Sequence, residues 1–106
     1  MAMQSKTLIN EKAKIFKALG HPTRLLMVEK LAAGECCVCE LVELAGVDFS
    51  TVSRHLAILK EAGIIQDDKR GKKVFYRLEL TCVVKFNECV EASLQSQLES
   101  KIAMWK

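Results

Sequence analysis

A mainly α protein with a small β-hairpin, folded as a winged helix-turn-helix and dimerising through its terminal helices, is what this sequence predicts. Three observations predict it. Apolar residues recur every three or four positions over most of the chain. Two such segments flank the tight connection Ala45-Gly46-Val47-Asp48, the length and composition of a helix-turn-helix turn. A basic pair of β-prone runs, the second alternating, follows at once, as a wing does.

The first helix spans about 8–19, with Leu8, Lys12, Ile15, Phe16 and Leu19 at helical spacing and Gly20 as its stop. His21-Pro22-Thr23 restarts the chain, and Pro22 suits a first-turn position, where a missing N–H costs nothing. A second helix from Thr23 to Ala33 draws its buried face from Leu25, Leu26, Val28 and Leu31. The helix-turn-helix occupies about 38–62: a short helix from Val38 to Leu44, then one from Phe49 to Ala62 with Asp48 as N-cap. The wing covers about 64–78, with Ile64–Asp67 and Lys73–Leu78 as strands and Asp68–Lys72 between them. From about 81 to 105, Val83, Phe86, Val90, Leu94, Leu98, Ile102 and Trp105 mark one long amphipathic helix.

The 106 residues suffice for a single domain, 1–106, that gains from a partner. No run approaches the roughly 18 apolar residues that cross a bilayer, and the first residues lack a signal-peptide core, so the expectation is a cytoplasmic protein with no membrane partner. The net charge of +3 is unevenly placed: Arg54 to Arg77 holds seven basic and three acidic residues, whereas residues 1–53 hold six of each. That concentration fits a segment facing the phosphates of double-stranded DNA.

On the fourth helix Val52, Leu56 and Leu59 form the buried stripe, which turns Ser50, Ser53, Arg54 and Ala57 outward. Small residues with a few donors suit a helix that enters the major groove. Ser50, Thr51, Ser53 and Arg54 are the candidate readers, His55 a packed or phosphate-contacting flank residue, and Lys69, Arg70, Lys72 and Lys73 the wing's phosphate contacts. One reading helix and one wing bury little surface, and the last helix carries an apolar stripe about 34 Å long, so a homodimer is expected.

Five cysteines, three of them at Cys36, Cys37 and Cys39, do not form a secreted disulfide framework. In a reducing compartment they read as ligands or reactive groups. Residues two apart on a helix point about 200° apart. Cys37 and Cys39 are therefore expected to share an ion only if the first turn of the third helix unwinds, which would displace the reading helix. For a third sulfur the order is Cys36, then Cys89 or Cys82, though those two read first as small buried hydrophobes.

Ala18-Leu19-Gly20-His21-Pro22-Thr23-Arg24-Leu25, Thr51-Val52-Ser53-Arg54-His55-Leu56 with Leu59-Lys60-Glu61-Ala62-Gly63, and Lys72-Lys73-Val74-Phe75-Tyr76-Arg77 resemble the ArsR/SmtB winged-helix repressors over roughly residues 10–80. The resemblance implies a homodimer that represses its operator and lets go when an inducer binds. Glu35-Cys36-Cys37-Val38-Cys39-Glu40-Leu41 is similar to the cysteine box of the arsenic- and antimony-responsive branch. That implies As(III) or Sb(III) as inducer, held by Cys37 and Cys39, with no permanently bound cofactor. Where that branch often has a further cysteine, this chain has Val42. In the family resembled, the zinc-sensing branch uses histidines and carboxylates along the last helix, and cadmium or lead sensing recruits a cysteine of the N-terminal arm; here the last helix has no histidine and no cysteine precedes Cys36. A thiol redox or reactive-sulfur sensor using Cys36 and Cys39, or a repressor of organic effector, are the alternatives. A thiol oxidoreductase is disfavoured because only a hairpin accompanies the Cys-x-x-Cys.

Overall fold

The computed structural model describes residues 5–105, with side chains through Ile102. The elements are α1 (Ser5–Leu19), α2 (Pro22–Ala32), β1 (Cys36–Cys37), α3 (Val38–Ala45), α4 (Phe49–Glu61), β2 (Ile65–Arg70), β3 (Lys73–Leu78) and α5 (Val83–Trp105). Local chemistry sets most boundaries. His21 caps α2, its Nδ1 accepting from the Thr23 N–H at 3.1 Å, and Pro22 follows at the first position. Gly46 ends α3 in the left-handed region at φ 68°, which a residue with a Cβ rarely adopts. Asp48 starts α4 by accepting from the Thr51 N–H at 3.2 Å.

The strands form a three-stranded antiparallel sheet in the order β1-β3-β2, not a bare hairpin. Cys36 pairs with Tyr76 and Cys37 with Phe75, so the cysteine segment is itself the third strand. The hairpin is also tighter than expected. Asp68, Lys69 and Arg70 lie within β2, opposite Phe75, Val74 and Lys73, and only Gly71-Lys72 turn the chain. Charged residues are common on such an exposed outer strand, where they discourage pairing with other chains; their polarity conceals the strand from a hydrophobicity reading.

One core joins the elements: Met27, Val28 and Leu31 of α2, Leu41 of α3, Val52, Leu56 and Leu59 of α4, with Ile64, Ile65, Cys36 and Val83. The α4 stripe is the expected one. In α2 Met27 is fully buried and Leu26 is exposed; in α1 Ala18 is buried whereas Leu8 and Phe16 are exposed. The run Leu25-Leu26-Met27-Val28 has no polar residue to fix the helix phase, so periodicity does not separate the buried Met27 from the exposed Leu26.

Helix α5 stands apart. Leu94 and Leu98 are each 59% exposed, and Phe86, Val90 and Ile102 are exposed with them; the side chain of Trp105 lies outside the described residues. The radius of gyration is 16.5 Å, against roughly 13 Å for a compact chain of this length. A 350 Å³ groove lined by Leu25, Val90, Leu94 and Leu98 runs between α2 and α5. No described helix is long and apolar enough to cross a membrane.

Candidate nucleic-acid interface and thiol site

Helix α4 turns Val52, Leu56 and Leu59 inward and leaves Ser50, Ser53, Arg54 and Ala57 exposed. The candidate readers on it are not equivalent. Ser50 Oγ donates to Asp48 Oδ2, and Thr51 Oγ1 donates to Asp48 Oδ1 at 2.6 Å. These bonds hold the Asp48 carboxyl down at about 2, the Ser50 bond contributing most. Both hydroxyls therefore serve the cap, and Ser53 and Arg54 remain outward with no side-chain bond among the described residues. His55 is half-buried: its Nδ1 lies 3.2 Å from Arg24 Nη1 and its ring 4.5 Å from that of His21. Burial, then the neighbouring His21, Arg24 and Arg54, lower its pKa. It ties α4 to α2.

In the wing, Lys69, Lys72 and Lys73 are exposed. Arg70 departs from the expected phosphate role. Its guanidinium takes both Glu35 oxygens at 2.7 Å, bonds Asp68 at 2.9 Å and lies 4.7 Å over the Phe75 ring. A planar fork satisfied on two sides and stacked on a ring is a structural tie. It fastens the wing to the residue just before β1.

The thiols meet differently from the helical-wheel expectation. Cys39 Sγ–H is directed at Cys37 Sγ, with the two free thiols in contact, while α3 is regular from Val38. The about 200° separation applies only when both residues are helical. Cys37 is the N-cap, extended at φ −70° and ψ 150°, so its side chain leaves the helical period and folds over the first turn. No unwinding is needed to bring the two sulfurs together.

Cys36, ranked first as third ligand, is not part of the pair. Successive residues of a strand point to opposite faces; Cys36 is 3% exposed in the core, its thiol directed to Gly34 O at 3.5 Å. Burial raises its pKa, first among several causes. Cys82 and Cys89 are exposed in this chain, contrary to the buried-hydrophobe alternative. No three or more Cys, His, Asp or Glu side chains are grouped to hold an ion among the described residues.

The Cys39 thiol bond lowers the pKa of Cys37 and raises that of Cys39, so the pair favours a single shared proton. Lys73 of β3 adds a favourable charge for both thiolates. Glu40 Oε2 accepts from the Cys37 N–H at 2.8 Å, closing the helix start. The roles of Glu35, Glu40 and Lys73 beside the thiols emerge in the structure. Glu40 was detectable from its three-residue spacing after Cys37, because Cys in a cap position imitates Ser. Glu35 and Lys73 depend on strand register.

A capped reading helix behind a short turn, with a basic wing paired onto the core, defines a winged helix-turn-helix of the DNA-reading class. The description "Bacterial regulatory protein, arsR family" matches residues 21–67. The arsenical resistance operon repressor of Escherichia coli is 46% identical over 66 residues, covering 61% of this chain and 56% of that protein. The crystal structure of the transcriptional repressor BigR from Xylella fastidiosa superposes with a TM-score of 0.72 at 32% identity, covering 85% of this chain and 95% of that one. The homodimeric winged helix-turn-helix domain Mb0332 of Mycobacterium bovis, a possible ArsR-family regulator, reaches 0.79 at 29% identity over 94% and 95%. The chain belongs to the ArsR family of bacterial regulatory proteins. It spans 56–60% of the length of curated relatives such as the E. coli repressor and the X. fastidiosa biofilm growth-associated repressor.

Proposed function

We propose that this chain is a homodimeric, cytoplasmic transcriptional repressor, regulatory rather than catalytic, that releases its operator when trivalent arsenic or antimony is captured by Cys37 and Cys39. The observation that carries this reading is the meeting of the two free thiols at the start of α3. Soft thiolates select soft ions. Arsenous acid condenses with both thiols, each S–H giving up its proton to a departing hydroxyl: two As–S bonds form, two As–O bonds break and two waters leave. The third position on arsenic keeps a hydroxyl or takes a small thiol. Antimonous acid follows the same balance. Similarity to the E. coli arsenical resistance operon repressor supports the inducer class.

Coupling runs through the double duty of Cys37, which ends β1 and caps α3. Seating an ion there loads the Cys37 N–H···Glu40 bond, the β1–β3 pairing of the wing, and α3, whose Leu41 is packed in the core with Val52 and Leu56 of α4. Both parts that grip DNA are reached in one step. Allosteric couplings of about 1–3 kcal/mol give roughly 5–150-fold changes in affinity, enough for a switch. DNA contact falls to Ser53 and Arg54 with phosphate neutralisation by Lys69, Lys72 and Lys73; Ser50, Thr51, His55 and Arg70 act in support. The uncovered stripe on α5 and the homodimeric M. bovis neighbour support the dimer.

The test is fluorescence anisotropy on a duplex selected from a random pool, under strict reduction, with arsenite added. Cys37→Ser and Cys39→Ser should bind as wild type but resist release at least tenfold in arsenite, whereas Cys36→Ser should still respond. Equal release of all three variants would remove the dithiol reading. The same two sulfurs support oxidation to a disulfide as a second reading, and release by peroxide but not by arsenite would select it.

A further inference from the structure

We infer that Phe49 is a specificity-determining residue that reads a thymine methyl group at the entry of α4 into the major groove. The inference rests on the DNA-reading proposal above. Phe49 is the first residue of α4 and is 60% exposed, the most open of the described large apolar side chains of the helix-turn-helix. Val47, in the turn before it, is exposed too. A ring left in water forfeits on the order of 2 kcal/mol of burial, which a partner outside this chain would recover.

The chemistry of the surrounding turn narrows the partner. Residues in the first turn of a recognition helix are those that reach base edges. Here the two hydroxyls that could donate, on Ser50 and Thr51, are both engaged by Asp48. The entry of the helix thus offers an aromatic ring and no free side-chain hydroxyl. Among the base pairs only those containing thymine present an apolar group in the major groove, the 5-methyl. Phe49 and Ser53 are four residues apart and neighbours on the helix surface, so a ring against a methyl would sit one turn from the first free donor. A protein partner at the same ring is the competing class. The helix surface it shares with Ser53 and Arg54 favours DNA.

The experiment selects duplexes from a randomised pool with the wild-type protein, then replaces each fixed thymine in turn by deoxyuridine, which removes only the methyl. At one position in each half-site, wild type should lose about fourfold in affinity per replacement, from the roughly 0.8 kcal/mol of one buried carbon. Phe49→Ala, whose folding can be checked by circular dichroism since the ring is exposed, should be indifferent to that replacement. Thymines that tolerate deoxyuridine everywhere, or a Phe49→Ala variant with the wild-type response, would overturn the inference and reassign the ring to a protein contact, leaving DNA binding intact. A wild-type protein that selects no sequence would sink the DNA reading itself.

Discussion

At the scale of single residues, His55 shows how the packing behind the reading helix becomes measurable. Its folded pKa lies below the ordinary 6.5 because burial and the cations around it oppose a further charge. The unfolded chain takes up that proton first, so between 6.5 and the lower folded value it binds more protons and stability falls as pH falls. Urea midpoints at pH 7.5 and 5.5 should therefore drop toward acid in wild type and drop less in His55→Gln; equal slopes would refute the assignment. Met27→Ala should cost about 2–5 kcal/mol in the same assay, as a fully buried chain leaving a cavity. A cost under about 1 kcal/mol would mean that the core closes around the loss. The sequence made Val52 and Leu56 recognisable because Ser53, Arg54 and His55 separate them, and Leu59 follows at helical spacing. Met27 stayed hidden because its neighbours on both sides are equally apolar.

At the scale of elements, the wing is held by an ion pair that sequence alone would assign to DNA. Two consequences separate the roles. Arg70→Gln should leave the salt dependence of operator affinity unchanged, since Arg70 neutralises Glu35 and Asp68 rather than phosphate. Lys72→Gln should reduce the slope of log K against log salt by about one. Arg70→Gln should instead weaken inducer-driven release, because the Glu35 tether ahead of β1 is cut. A lowered salt slope in Arg70→Gln would return that residue to the interface. Helices and their caps were legible because Pro22, Gly46 and Asp48 act within a few residues of themselves. Strand β1 was not, because two residues have no periodicity and their pairing with Phe75 and Tyr76 spans almost forty positions. The dithiol is half legible: the sequence shows the residues, but helical spacing does not describe their approach, because Cys37 is an extended cap and not part of the helix.

For the whole molecule, the deciding quantity is the apolar surface of α5 that its own chain leaves open. A stripe about 34 Å long on an elongated protomer calls for a second copy, and two reading helices set one turn of DNA apart would follow from two-fold symmetry. Leu94→Asp with Leu98→Asp should shift sedimentation from dimer to monomer and weaken operator binding at least tenfold, while each protomer keeps its helical spectrum. A double variant that sediments as wild type would move the interface elsewhere.

The paired sulfurs owe their closeness to where one kind of backbone hands over to another, one residue extended at ψ 150° and the other already coiled. Such a hand-over exists wherever a short strand runs straight into a helix. If Cys37 and Cys39 hold the proposed ion, the clasp is portable: Cys-x-Cys grafted across that boundary in an unrelated scaffold should capture arsenite, whereas the same three residues moved two positions into the coil should lose the grip.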